Sequence, residues 1–292
     1  MPMVQMGNIY YFLYIAIAII LTVIAVKFLN NKSQKFRHWF IFGLIMVAFS
    51  IHFLKIFIWP YTTVEHIFTK VSFENICAGS TLLFPFLYFT KNKTLKDYMI
   101  MVGMASGIIT FIFPVDAMSD YFNGGYLGAR SAFNLEVMRF YLAHFLLFLV
   151  PFLMMHYQMH ELSIHRAYRA PLLLILVLVI IFINELVLTA LDWVPKNDLY
   201  DPSKRNPSFI FGVRGDLTGL GVFLGIFVPM FMRVHPLTGA SFYWPVIWLV
   251  IPALVYGGLI VLIFMFIYDN QETKVFFSKI LGVRSGEDAK IS

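Results

Sequence analysis

Long apolar runs alternate with short polar connections along the whole chain. They lie at 9–29, 39–59, 73–90, 98–115, 137–155, 171–193 and 244–268. At ~1.5 Å of helical rise per residue, each covers most or all of a hydrocarbon layer of ~30 Å. Their aromatic and β-branched residues would also suit strands, but in lipid an isolated segment satisfies its own backbone only as a helix. The pattern predicts an all-α fold, a polytopic transmembrane helix bundle of about seven spans. An eighth run, Leu217 to Met232, is short and interrupted by Gly219, Gly221, Gly225 and Pro229. If it crosses, the count becomes eight.

Composition agrees with a membrane solvent. The 292 residues are 60% hydrophobic and 13% charged, with a mean hydropathy of +0.77, which is too much apolar surface for one water-soluble core. The net charge of +6 does not point to nucleic acid, because the Lys and Arg residues sit in the connections, where they meet headgroups and set topology. Lys27, Lys32, Lys35 and Arg37 precede the second run, Lys91, Lys93 and Lys96 separate the third and fourth, and Arg166 and Arg169 separate the fifth and sixth. The positive-inside rule places these connections in the cytoplasm. It predicts a plasma-membrane protein with its N-terminus outside and a cytoplasmic tail at 269–292, carrying Lys274, Lys279, Arg284 and Lys290. Residues 194–243 then form an outer cap or re-entrant segment, where Lys196, Lys204, Arg205 and Arg214 run against the rule. The first run has no basic residue before it and no small-residue cleavage site after it, so it reads as a retained span. With no repeat and no low-complexity linker, 1–292 reads as a single transmembrane domain.

Ionisable side chains inside the runs change the picture, since each costs roughly 2.5–3.5 kcal/mol at mid-bilayer on insertion scales. The second run carries His52 and Lys55, the third Glu74 and Cys77, the fifth Arg139 and His144, and the sixth Asn184, Glu185 and Asp192. Lys55 and Arg139, near helix ends, are expected to snorkel to the interface. Glu74 and Asp192 are expected to be solvated, while Glu185 lies deeper. Alone, Cys77 reads as a small buried hydrophobe and His144 as a helix-packing hydrogen-bonder.

With that topology His52, Cys77, His144 and Glu185 fall at one depth, roughly 6–12 Å below the outer ends at ~1.5 Å per residue. A thiol and an imidazole at matched depth are the parts of a nucleophile and its base. His144 would take the thiol proton and return it to a leaving alcohol. Asn184 or Glu185 would orient the ring, and Ser80, Thr81 or Asn184 are candidate oxyanion donors. A lone cysteine excludes an internal disulfide and a multi-Cys metal site. Neither a metal nor a cofactor is expected.

At these residues the chain resembles the YwaF-like bacterial integral membrane proteins, relatives of the eukaryotic transmembrane protein 164 acyltransferases. The resemblance rests on Cys77 with Pro85 eight residues later and Phe89-Thr90-Lys91-Asn92-Lys93 after it. It continues through Phe113-Pro114 with Asp116, then Arg139-Phe140-Tyr141 with His144, and more weakly Ile183-Asn184. It implies a membrane acyltransferase with a Cys nucleophile and a His, which carry over onto Cys77 and His144. The implied substrates are membrane phospholipids and lysophospholipids. Asn75-Ile76-Cys77 departs from a His-Leu-Cys-like triplet, and the chain after 194 is unlike the family.

Three other readings stand beside the transferase. A lipid hydrolase would use the same Cys/His pair with water as acceptor. A transporter or flippase-like protein would line a polar path with Lys55, Glu185 and His144. A scaffold would use its polar residues to hold helices together.

Overall fold

The structure is a computed structural model, and it describes residues 2–114, 131–205, 207–213 and 217–282. Asp116, Arg214, Arg284 and Lys290, named above, lie outside the described residues. Each of the seven apolar runs contains a long helix. In chain order the helices are α1 (Ile9–Asn30), α2 (Gln34–Leu54), α3 (Ile76–Phe89), α4 (Lys93–Ile112), α5 (Leu135–His156), α6 (Ile164–Ala167), α7 (Arg169–Ala190), α8 (Thr218–Gly225), α9 (Ile247–Tyr268) and α10 (Asn270–Ile280). Among the described residues the only β pairing is one isolated bridge, Val234 to Ser241.

Six of these helices are long and apolar enough to cross a membrane: α1, α2, α4, α5, α7 and α9. The third run is shorter than its hydrophobicity suggested, because α3 has 14 residues, or ~21 Å of helix. The eighth run resolves into α8, whose eight residues reach only ~12 Å. It is too short to cross.

Side-chain caps fix where the helices begin. Asn8, Ser33, Asn75, Asn92 and Asn134 each stand just before a helix and accept a backbone N–H two or three residues in, which satisfies a donor that the helix leaves open. Two helices therefore start among charged residues and not at the first apolar one. In α2, Arg37 also turns back to the carbonyls of Leu29 and Asn30, at 2.9 and 2.5 Å.

Helices α4 and α5 form the centre of the bundle. Gly103 and Gly107 allow their backbones to approach: a Cβ on Gly107 would stand 2.6 Å from Phe148 Cβ and 2.9 Å from the His144 carbonyl. This is the close small-residue packing that membrane helices use in place of a hydrophobic drive. Helix α2 packs on α3 and α5, α7 packs on α4 and α9, and α1 lies against α5. Helix α1 leaves Ile9, Phe12, Ile19, Ile20 and Ile24 exposed, as a lipid-facing helix does. At the end of the bundle where α3 turns into α4, buried Asp97 accepts from His160 Nε2 at 2.6 Å and from Arg166 Nε at 2.8 Å. That pair ties the start of α4 to the connection after α5.

Candidate functional site

The other end of the bundle, where α2 gives way to α3, gathers most of the intramembrane polar groups. Cys77 lies in the first turn of α3, half-buried and packed against the main core. Two acceptors hold that turn. Asn75 Oδ1 accepts from Ala78 N at 2.8 Å, and Ser208 Oγ, 132 residues further along, accepts from Ile76 N at 2.8 Å. Ser208 reaches this position with a left-handed backbone, φ 52°, a conformation that costs a non-glycine residue about 1–3 kcal/mol. Trp248 holds the neighbouring chain by donating from Nε1 to the carbonyls of Phe209 and Ile210, at 3.0 and 3.2 Å. Cys77 thus sits at the positive end of a helix dipole.

One turn further along α3, the Ser80 hydroxyl is buried, and the Tyr98 hydroxyl of α4 lies beside it, within electrostatic range of Cys77. Among the described residues neither oxygen has a hydrogen-bond partner apart from the other. The two hydroxyls have each other within reach, so one can accept from the other and a single hydroxyl hydrogen is left without an acceptor.

His144 lies on α5, which touches α3 and shares α2 and α4 with it as neighbours. Its Nδ1 is 2.8 Å from the Phe140 carbonyl. A carbonyl only accepts, so Nδ1 carries the hydrogen and the neutral ring presents its lone pair at Nε2. The ring is therefore held by a backbone group. Asn184 and Glu185 serve other partners: Asn184 Nδ2 donates to Ser72 Oγ at 3.2 Å, and Glu185 takes Arg205 Nε and Nη2 on its two oxygens, each at 2.7 Å. Both hold segments that flank the start of α3.

The sequence expectations for three charged residues are overturned. Lys55 does not snorkel; it is buried and donates to Glu74 at 2.5 Å. Arg139 turns inward as well, with Nε and Nη2 on the Glu136 carboxylate at 2.5 Å and Nη2 on Tyr61 Oη at 3.2 Å. Glu74, expected in water, is the half-buried partner of Lys55. The physical reason is the same in each case: a carboxylate near enough to pair removes the need to reach the interface. Asp192 is exposed, 3.8 Å from Lys196. His52 Nε2 bonds the Val71 carbonyl at 3.0 Å. Lys70, in the connection before α3, is pushed below the ordinary lysine value chiefly by burial, which Glu74 partly offsets and Arg205 reinforces.

A model of the TMEM164 family matches residues 4–199. The chain belongs to the TMEM164 family. The match includes Cys77, Ser80, Tyr98, His144, Asn184 and Glu185, whereas Arg205, Ser208, Trp248 and the whole of α8 lie beyond the TMEM164 region. No curated protein and no solved structure matches the chain.

Sequence reasoning missed Tyr98, Ser208 and the Arg205 partner of Glu185. Arg205 carried a signal, since it was one of the cations that broke the charge bias of the connections, and a buried carboxylate explains why it did. Tyr98 and Ser208 carried none, because a tyrosine in an apolar run and a serine in a polar connection are ordinary.

Proposed function

We propose that this TMEM164-family protein is a plasma-membrane acyltransferase that moves a fatty acyl chain between lipids through a thioester on Cys77. The observation that carries the reading is the setting of that thiol: the first turn of a doubly held helix, beside two buried hydroxyls that have only each other as partners among the described residues. In this scheme His144 Nε2 takes the thiol proton and the thiolate attacks the ester carbonyl of a phospholipid. The carbonyl oxygen gains negative charge, which the Ser80 and Tyr98 hydroxyls meet. The carbon–oxygen bond breaks, the imidazolium returns its proton to the leaving alkoxide, and lysophospholipid departs. A second lysophospholipid reverses these steps and takes the acyl chain. Asn184 and Glu185 act as positioning residues, holding the Ser72 and Arg205 segments around the start of α3. By the positive-inside rule this end of the bundle faces outward, so the lipids come from the outer leaflet.

The test is acyl exchange in reconstituted vesicles, with a labelled phospholipid donor and an unlabelled lysophospholipid acceptor. Cys77→Ala and His144→Gln should each abolish exchange, and the wild type should carry a hydroxylamine-labile acyl group on Cys77. Undiminished exchange by Cys77→Ala refutes the scheme. If the labelled acyl chain appears as free fatty acid whatever the acceptor concentration, water is the acceptor and the protein is a hydrolase.

A further inference from the structure

Beyond the TMEM164 region the chain builds a recess of its own. Tyr200, Phe211, Val213, Val222, Arg233 and Ser241 line it, and it encloses about 310 Å³, at the small end of ligand-sized clefts. Two glycines behind the lining let Tyr243 and Arg233 pack closely. At Gly212, with φ +117°, a side chain would stand 2.5 Å from the Tyr243 ring, and at Gly225 it would stand 2.6 Å from Arg233 Nη1.

Among the described residues the Arg233 guanidinium has no oxygen partner. Its Nε is sealed from solvent without an acceptor, and Nη2 has only Met230 Sδ, at 3.7 Å, a weak acceptor. Arg139, Arg166 and Arg205 each hold a carboxylate. Asp201, between the lining residues Tyr200 and Pro202, accepts from Ser203 N at 2.8 Å. A desolvated guanidinium donor is unfavourable until something supplies an acceptor, and its planar fork matches the oxygens of a phosphate.

The surroundings indicate where that phosphate comes from. Val222, which lines the recess, is exposed, and so are Phe223, Ile226, Phe227, Met230 and Phe231. Phe223 also stacks on Tyr256 with ring centres 4.5 Å apart, nine residues along α9. A broad apolar surface therefore adjoins the recess and runs onto a membrane-crossing helix. We propose that the recess binds the phosphate of an anionic lipid headgroup, with Arg233 as its ligand and the Tyr200 and Ser241 hydroxyls beside it.

The test uses the full chain in phosphatidylcholine nanodiscs containing a minor fraction of phosphatidylglycerol, with native mass spectrometry to count retained lipid. The wild type should retain phosphatidylglycerol in preference to phosphatidylcholine. Arg233→Gln should weaken that retention roughly tenfold or more, and Arg233→Lys should keep part of it. Ser241→Trp fills the recess without removing the charge and should cause a similar loss, which keeps the test open if Arg233→Gln does not fold. A second arm adds inorganic phosphate to pure phosphatidylcholine nanodiscs. Phosphate that stabilises the wild type but not Arg233→Gln, with no preference for phosphatidylglycerol, refutes a lipid source. Undiminished phosphatidylglycerol retention by a folded Arg233→Gln and by Ser241→Trp overturns the site.

Discussion

Replacing Arg205 by Met isolates the energetics of a buried ion pair inside the membrane domain. The Glu185 carboxylate is fully buried, and both its oxygens are taken by one guanidinium at 2.7 Å. Without Arg205 that carboxylate loses its paired cation and keeps only Lys70 at a distance, and breaking a buried pair in this way costs about 3–5 kcal/mol. The reverse change, Glu185→Leu, should cost less, because the Arg205 side chain is 16% exposed and its charge can turn towards water. The double variant removes both charges and should return to within about 1 kcal/mol of wild type or exceed it, as apolar replacements of buried pairs do. Unfolding in detergent micelles orders the three variants. A second readout follows from the geometry: Arg205 lies three residues before Ser208, which caps α3. Arg205→Met should therefore also speed maleimide labelling of Cys77, the sole cysteine of the chain. Three variants all within about 1 kcal/mol of wild type, the scale of an exposed pair, would refute the account of Glu185 as a desolvated anion held by one partner.

Other expectations concern single contacts. Gly107→Ala places a methyl group 2.6 Å from Phe148 Cβ and should destabilise by about 1–3 kcal/mol, the usual range for overpacking; it should also lower exchange activity, because the same methyl crowds the backbone of His144. A Gly107→Ala protein as stable as wild type would mean that α4 and α5 are not in close contact there. Ser208→Ala removes one acceptor from the start of α3 and should cost about 0.5–1.5 kcal/mol while raising the labelling rate of Cys77; an unchanged rate argues against the cap. Lys70→Met tests a burial effect through pH. A lysine held below its ordinary value penalises the folded state while charged, and the penalty fades as pH rises through the folded value towards the unfolded one, ~10.4. The variant should therefore be more stable than wild type at neutral pH, by a margin that shrinks in alkali. A margin independent of pH means that the effect is not one of charge.

Hydrophobic periodicity and length were enough to locate the helices, because in lipid a long apolar segment has one way to satisfy its backbone. Their ends were harder to see. Helix α3 starts at Ile76 and not at residue 73 because Asn75 caps it, and α4 starts at Lys93 behind Asn92. Charged residues were the least legible. Lys55 and Arg139 looked like snorkelling residues because each sits near a helix end, and nothing local says that Glu74 is 19 residues away in sequence yet only 2.5 Å away in space. Tyr61 is more distant still in sequence, 75 positions from the Glu136 carboxylate it meets. Cys77 and His144 stood out in the sequence as candidate chemistry, and both fall within the residues that the TMEM164 family model matches. The Phe140 carbonyl that sets the His144 tautomer was not legible, since a backbone acceptor four residues back is available to any helical histidine.

Ser208 secures the thiol-bearing helix from outside the stretch that the family pattern covers, and its strained backbone is kept in place by Trp248. Two proteins alike up to position 199 can therefore hold the same cysteine with unequal firmness, according to what each carries afterwards. A chimera that exchanged only the C-terminal third would change how easily reagents reach the sulfur without altering a single residue around it in α3, α4 or α5.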